Sequence, residues 1–122
     1  MAKDDYHVIV YYLLSYLYYC LKHGIRSESK YLSLAEYPVK INEEYLAFIY
    51  TELLRKGLIS GAICGTVSVL GKGAVPVIKS YENTQITADG IEYLEHNGTM
   101  TKVWKAIQES GGLMLHLINA FQ

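Results

Sequence analysis

Cys20 and His23 stand three positions apart, a spacing that on a helix brings a thiol and an imidazole to one face. Such a pair could share a metal or act as nucleophile and base. Two ligands do not make a closed zinc site, so Cys64 or His96 would have to arrive from elsewhere in the chain. The simpler assignment is a structural cysteine in an apolar run and a histidine at a helix C-terminus, where the dipole favours a cation. Cys64 lies in a second apolar run, and two free thiols suit a reducing compartment. His7 and His116 are isolated. There is no G-x-x-x-x-G-K-[ST] loop, no G-x-S-x-G elbow and no H-E-x-x-H pair, and Gly71-Lys72-Gly73 reads only as a hairpin turn. The expectation is a protein with no catalytic residues, no metal and no cofactor, and therefore not an enzyme.

The elements that would position any site follow from composition and period. The 122 residues suit one domain, and an apolar fraction of 51% excludes a disordered chain. Eleven Lys and Arg face twelve Asp and Glu, without the basic surplus usual in nucleic-acid binders. Asp4 and Asp5 stand where a signal peptide would be positive, and no small-residue cleavage site follows. The apolar run from Val8 to Leu21 is shorter than the roughly 17 residues a membrane span needs. A cytoplasmic protein without membrane contact is expected.

Helical periodicity marks a first helix from Tyr6 to His23, ended by Gly24. Tyr6, Ile9, Val10, Leu13, Leu14, Leu17, Cys20 and Leu21 fall on one broad face, while Asp4, Val8, Ser15 and Lys22 share the opposite face with Tyr11, Tyr12, Tyr18 and Tyr19. Four tyrosines rarely face water, so a second layer of this chain or another chain must cover them. Tyr31-Leu32 reads as a short strand, and Ser33 with Glu36 as a capping box for a short helix that Pro38 ends. Asn42 caps a third helix running to Lys56, with Glu43 and Glu44 in its first turn. After Gly57 the period becomes 2. Ile63, Gly65, Val67 and Val69 mark a strand, and Val75 to Tyr81 its partner, with Pro76 indicating an edge or a bulge. Thr87 caps a helix from Ala88 to His96, Thr99 or Thr101 the next, and Leu113 to Phe121 forms a last amphipathic helix with Leu113, Met114, Leu117, Ile118 and Phe121 on one side.

Helix, short strand, helix, helix, hairpin, helix is the winged-helix order, an α+β but mostly α fold. Residues 1–122 form a single such domain, with a wing at about 58–86 and a helical extension at about 99–122. The segment Ile86-Thr87-Ala88-Asp89-Gly90-Ile91-Glu92-Tyr93-Leu94 resembles the Leu-Thr-x-x-Gly-x-x-x-Leu run that follows the wing in many winged-helix proteins. Ile86 would end the wing strand in the core, Thr87 would cap the helix, and Gly90 would permit close packing. The longer stretch from Ile86 to Ile107 resembles the C-terminal part of the YjcQ family. The resemblance implies a small winged-helix protein of Gram-positive bacteria and their phages, and it implies no reaction.

Two functions follow as expectations. A winged helix that reads duplex DNA turns the outer face of its third helix to the major groove. Here that face holds Glu44, Ala47, Phe48, Thr51, Glu52 and Arg55 with Tyr45 at its margin, one guanidinium against two carboxylates. In a DNA-associated regulatory or accessory protein, Lys40, Arg55, Lys72 and Lys79 would hold phosphates while Thr51 and Tyr45 approach bases. The alternative is a protein-interaction module without DNA, a homodimer or a binder of a host protein, contacting its partner through Tyr11, Tyr12, Tyr18, Tyr19, Phe48 and Leu115. Aromatic enrichment at interface cores supports it.

Overall fold

A computed structural model of the chain describes residues 5–121; Asp4, assigned above to the polar face of the first helix, lies outside them. Helix α1 (Asp5–His23) is buried without interruption from Ile9 to Leu17. A helix apolar all round belongs in the middle of a fold, and α1 is the central strut of this one. Its closest helix packing is against α4 and α5, it also meets α2 and α6, and α3 approaches it through Tyr45 and Phe48.

The next segment departs from the sequence expectation. Residues 31–32 end a short helix, α2 (Ser29–Leu32), rather than forming a strand. They have no strand to pair with. Tyr31 packs between Tyr16 and Phe121, and the Leu32 carbonyl accepts a 2.7 Å hydrogen bond from the Tyr50 hydroxyl. Ser33 caps the C-terminus of α2 and does not begin a helix toward Glu36. Leu34 adopts φ 63°, a left-handed conformation no helix contains, which turns its side chain into the core.

Helix α3 (Glu43–Arg55) starts as the sequence indicates, with the Asn42 side chain accepting from the backbone of Glu44 and Tyr45. Strand β1 (Ile59–Ser60) pairs with β4 (Gln85–Ile86), and β2 (Ile63–Val69) pairs antiparallel with β3 (Gly73–Ser80) to form the wing. Pro76 sits opposite Thr66 in regular register, tolerated because a two-stranded hairpin is all edge. The irregularity lies instead at Ile63/Cys64, where the wing leaves the body.

Helix α4 (Ala88–His96) is capped by Thr87, whose hydroxyl accepts from Gly90 N and donates to the Gly57 carbonyl. Gly90 packs so closely that a Cβ there would lie 2.1 Å from the Leu58 carbonyl oxygen. Helix α5 (Gly98–Ser110) is capped by Asn97 and not by Thr99 or Thr101. Asn97 ends α4 and starts α5, its carboxamide oxygen accepting from Thr99 N and Met100 N. Helix α6 (Gly112–Asn119) buries Ile118 and half-buries Met114 and Leu117, whereas Leu113 faces solvent instead of the core. The architecture is a mostly helical winged helix with α5 and α6 appended.

The appended helices account for the tyrosines of α1. Trp104 stacks on Tyr11 with ring centroids 5.5 Å apart and planes 5° from parallel. Phe121 inserts among Tyr12, Tyr16, Tyr19 and Tyr31 at 5.1–6.0 Å. Over Tyr11 and Tyr12 the second layer is this chain's own, while Tyr18 and Tyr19 stay half-buried.

Candidate functional site

The outer face of α3 and the wing beside it form the surface on which a winged helix would work. Ala47 is only 1% exposed and drops out of that face. Phe48, at 50%, is its apolar centre, with the Tyr6 ring 6.4 Å away.

The candidate nucleic-acid residues are largely occupied within the chain. Arg55 donates through Nε and Nη2 to the two oxygens of Glu52, at 3.0 and 2.7 Å. This paired geometry holds the Glu52 carboxyl below its ordinary range. From the wing turn, Lys72 Nζ reaches Glu44 Oε1 at 2.7 Å. Thr51 donates its hydroxyl to the Ala47 carbonyl at 2.8 Å, back along its own helix. Tyr45 donates to Asp5 Oδ1 at 2.9 Å; burial, then the hydrogen bond and charge of Asp5, push its pKa up to about 12. Lys40 and Lys79 stand apart. Lys40 borders a hollow with Asp5 and Tyr45, while Lys79 lies across Gly65 of β2 and borders a different hollow with Arg26 and Glu82. The fold therefore does not gather the six residues into one cationic surface.

The candidate interface residues divide differently. Tyr11 and Tyr12 are buried under Trp104 and Phe121, so they are not open to a partner as the sequence reading required. Tyr18 and Tyr19 are half-buried, Tyr18 beneath the Lys22 ammonium at 4.3 Å and Tyr19 against His23 at 4.5 Å. Leu115 is half-buried against the core. Phe48 alone of this set is open.

Sequence reasoning missed the apolar wing. Alternation implied that Ile63, Val67 and Val69 face inward, yet all three are exposed, and Leu70 at the turn is fully so. Strand β3 packs against α3 and buries Val75, whereas these β2 side chains stay open, and no signal in the strand pattern says which strand of the hairpin is covered. Between the wing and the start of α3 lies a groove of ≈ 490 Å³ with walls from Ile41, Val67, Val69 and Val75 and an acidic rim of Glu43 and Glu44.

The thiols and imidazoles stay dispersed. Cys20 is buried beside Tyr16, and burial raises its thiol pKa; burial likewise raises that of Cys64 near Thr51. Among the described residues no three potential ligands converge on a metal position, and no helix is long and apolar enough to cross a membrane.

The family model described as YjcQ protein matches residues 11–110. The chain belongs to the YjcQ family. No curated protein and no solved structure matches it. The YjcQ match takes in most of α1, then α3, the wing, α4 and α5. It stops before α6 and Phe121, so one of the rings packed on Tyr12 and Tyr16 lies beyond the matched region, whereas Tyr37 and Tyr31, which also pack on them, lie within it.

Proposed function

We propose that this YjcQ-family chain is a protein-contact module that engages its partner with the α3–wing face, and not a reader of duplex DNA. The observation that carries this reading is the pairing of Lys72 with Glu44 and of Arg55 with Glu52. Exposed ion pairs are weak, about 0–1 kcal/mol, and phosphates could displace them. Displacement would nevertheless leave Glu43, Glu44 and Glu52 against the nucleic-acid backbone. The same face offers Phe48, Val67, Val69 and Leu70, apolar area rimmed by carboxylates, which suits a partner protein with apolar and basic side chains. A small accessory protein in a phage or prophage setting, as the family resemblance implies, fits this role.

Fluorescence anisotropy with random duplex DNA across a salt series tests the proposal. At about 50 mM salt, where phosphate contacts are strongest, no binding is expected. Saturable binding that weakens steeply with salt would overturn it and restore the DNA-associated reading. Photo-crosslinking from position 48 or 70 in the native cell is expected to give a discrete protein adduct.

A further inference from the structure

The two strands of the wing differ in what their outer edges offer. Pro76 of β3 stands opposite Thr66 of β2. A proline cannot donate, so theirs is a non-hydrogen-bonded pair. The strand bonds fall on the alternate pairs, Gly65 with Val77, Val67 with Val75 and Val69 with Gly73. The N–H and C=O groups of Cys64, Thr66 and Ser68 therefore point away from β3. No other strand pairs with β2, and among the described residues no backbone hydrogen bond from elsewhere reaches these three.

Sheet edges are normally guarded by proline, lysine or a bulge. Strand β3 has all three: Pro76 in mid-strand, and Lys79 as the extra residue of the irregularity opposite Ile63 and Cys64. It also packs against α3. Residues 64–69 of β2 contain no proline and no charge, and Thr66, Val67, Ser68 and Val69 are exposed.

This open edge is self-complementary. Turned antiparallel about Thr66, two copies would set Thr66 against Thr66 and Cys64 against Ser68, with up to about six backbone hydrogen bonds. On one face Val67 would lie beside Gly65 of the second copy, over which the Lys79 stem already crosses, and Val69 toward Ile63. Exposed apolar side chains would thus meet apolar neighbours, and the same edge serves both copies, as a closed two-fold requires.

We propose that β2 is an interface strand, through whose outer edge two copies of this chain pair antiparallel about Thr66 and join their wings into one four-stranded sheet. The contact is made by backbone and does not depend on what the α3–wing face binds. One strand pair is a small interface, so a weak dimer is expected, with Kd about 0.1 mM.

Sedimentation equilibrium from about 10 µM to 1 mM is expected to show a monomer passing to a dimer. Over that range hydrogen exchange at the amides of Cys64, Thr66 and Ser68 should slow about fivefold, while Gly65 and Val67, bonded within the hairpin, stay unchanged. Thr66→Pro removes the central outward N–H at no cost to the hairpin bonds, and is expected to stay monomeric with Gly65 and Val67 still protected. If those two amides lose protection, Val67→Lys, which sets a charge near Lys79 of the second copy, takes its place with the same expectation. A chain monomeric at 1 mM would overturn the proposal. So would a dimer whose residues 64, 66 and 68 exchange as fast as in the monomer, or one that the folded variant leaves intact.

Discussion

Lys72 at the tip of the wing and Glu44 in the first turn of α3 meet at 2.7 Å across 28 positions of sequence. Glu44 is favoured there by the helix dipole, and the wing folds over so that its turn lysine neutralises it. Both side chains are about half exposed, so the pair contributes less than about 1 kcal/mol to stability. Its larger effect is on charge, since the wing cation is matched by a carboxylate of the helix it flanks.

If those carboxylates are what deny this face to phosphates, removing their charge should reverse the preference. In the double variant Glu44→Gln, Glu52→Gln, both cations remain and lose their partners. Weak duplex binding is expected to appear at about 50 mM salt, with a log–log salt slope near −2 for two freed cations. Anisotropy measures it, and a double variant as inert as the parent would show that charge pairing is not the deciding feature.

Phe121 touches the rings of four tyrosines on α1 and α2 and is 6% exposed. Phe121→Ala is expected to cost about 3–5 kcal/mol, as large-to-small changes in a packed core do. Urea titration gives that value. Light scattering on the same variant reports whether the uncovered tyrosines then draw chains together. A cost below about 1 kcal/mol would mean that Phe121 does not hold the cover in place.

Gly90→Ala pits helix propensity against sterics. Alanine should gain about 1 kcal/mol within α4. Its Cβ, however, would fall 2.1 Å from the Leu58 carbonyl oxygen, and backbone cannot step aside as a side chain can. The net outcome is destabilisation by about 1–3 kcal/mol, seen as a drop of several degrees in Tm. A variant more stable than the parent would contradict the close packing of α4 on the turn after α3.

Alkali should unfold the chain cooperatively. Burial is the first cause raising the pKa values of Tyr12, Tyr16, Tyr37 and Tyr50 above the ordinary 10. The folded state thus holds these protons more tightly than the unfolded state. Their contribution is intact below about pH 10 and is lost as pH rises toward the folded-state values. Tyrosinate absorbance at 295 nm should therefore show a late step that coincides with loss of far-ultraviolet circular dichroism. A single smooth titration near pH 10, with the helix signal unchanged, would contradict the burial of these hydroxyls.

Helical period, caps and glycine stops were enough to place α1, α3, the wing, α4 and α5. The reason is locality: Asn42 and Thr87 act on backbone groups two or three residues away, and Gly24 and Gly57 end helices by their own conformation. Where the decisive partner is distant, the sequence was silent or misleading. Residues 29–37 look like a strand and a capped helix, yet Tyr50, Tyr16 and Phe121 from other elements hold Tyr31 and Leu32 in a different shape.

The same division runs through the candidate sites. Sequence alone determined that the outer face of α3 carries carboxylates and that α1 carries tyrosines needing cover. Only the tertiary structure decided that Lys72 and Arg55 are matched within the chain, and that Tyr11 and Tyr12 lie beneath Trp104 and Phe121. Charge and hydrophobicity are properties of a residue, legible one letter at a time. Pairing and burial are properties of two residues far apart in the chain, and they exist only once folding has brought them together.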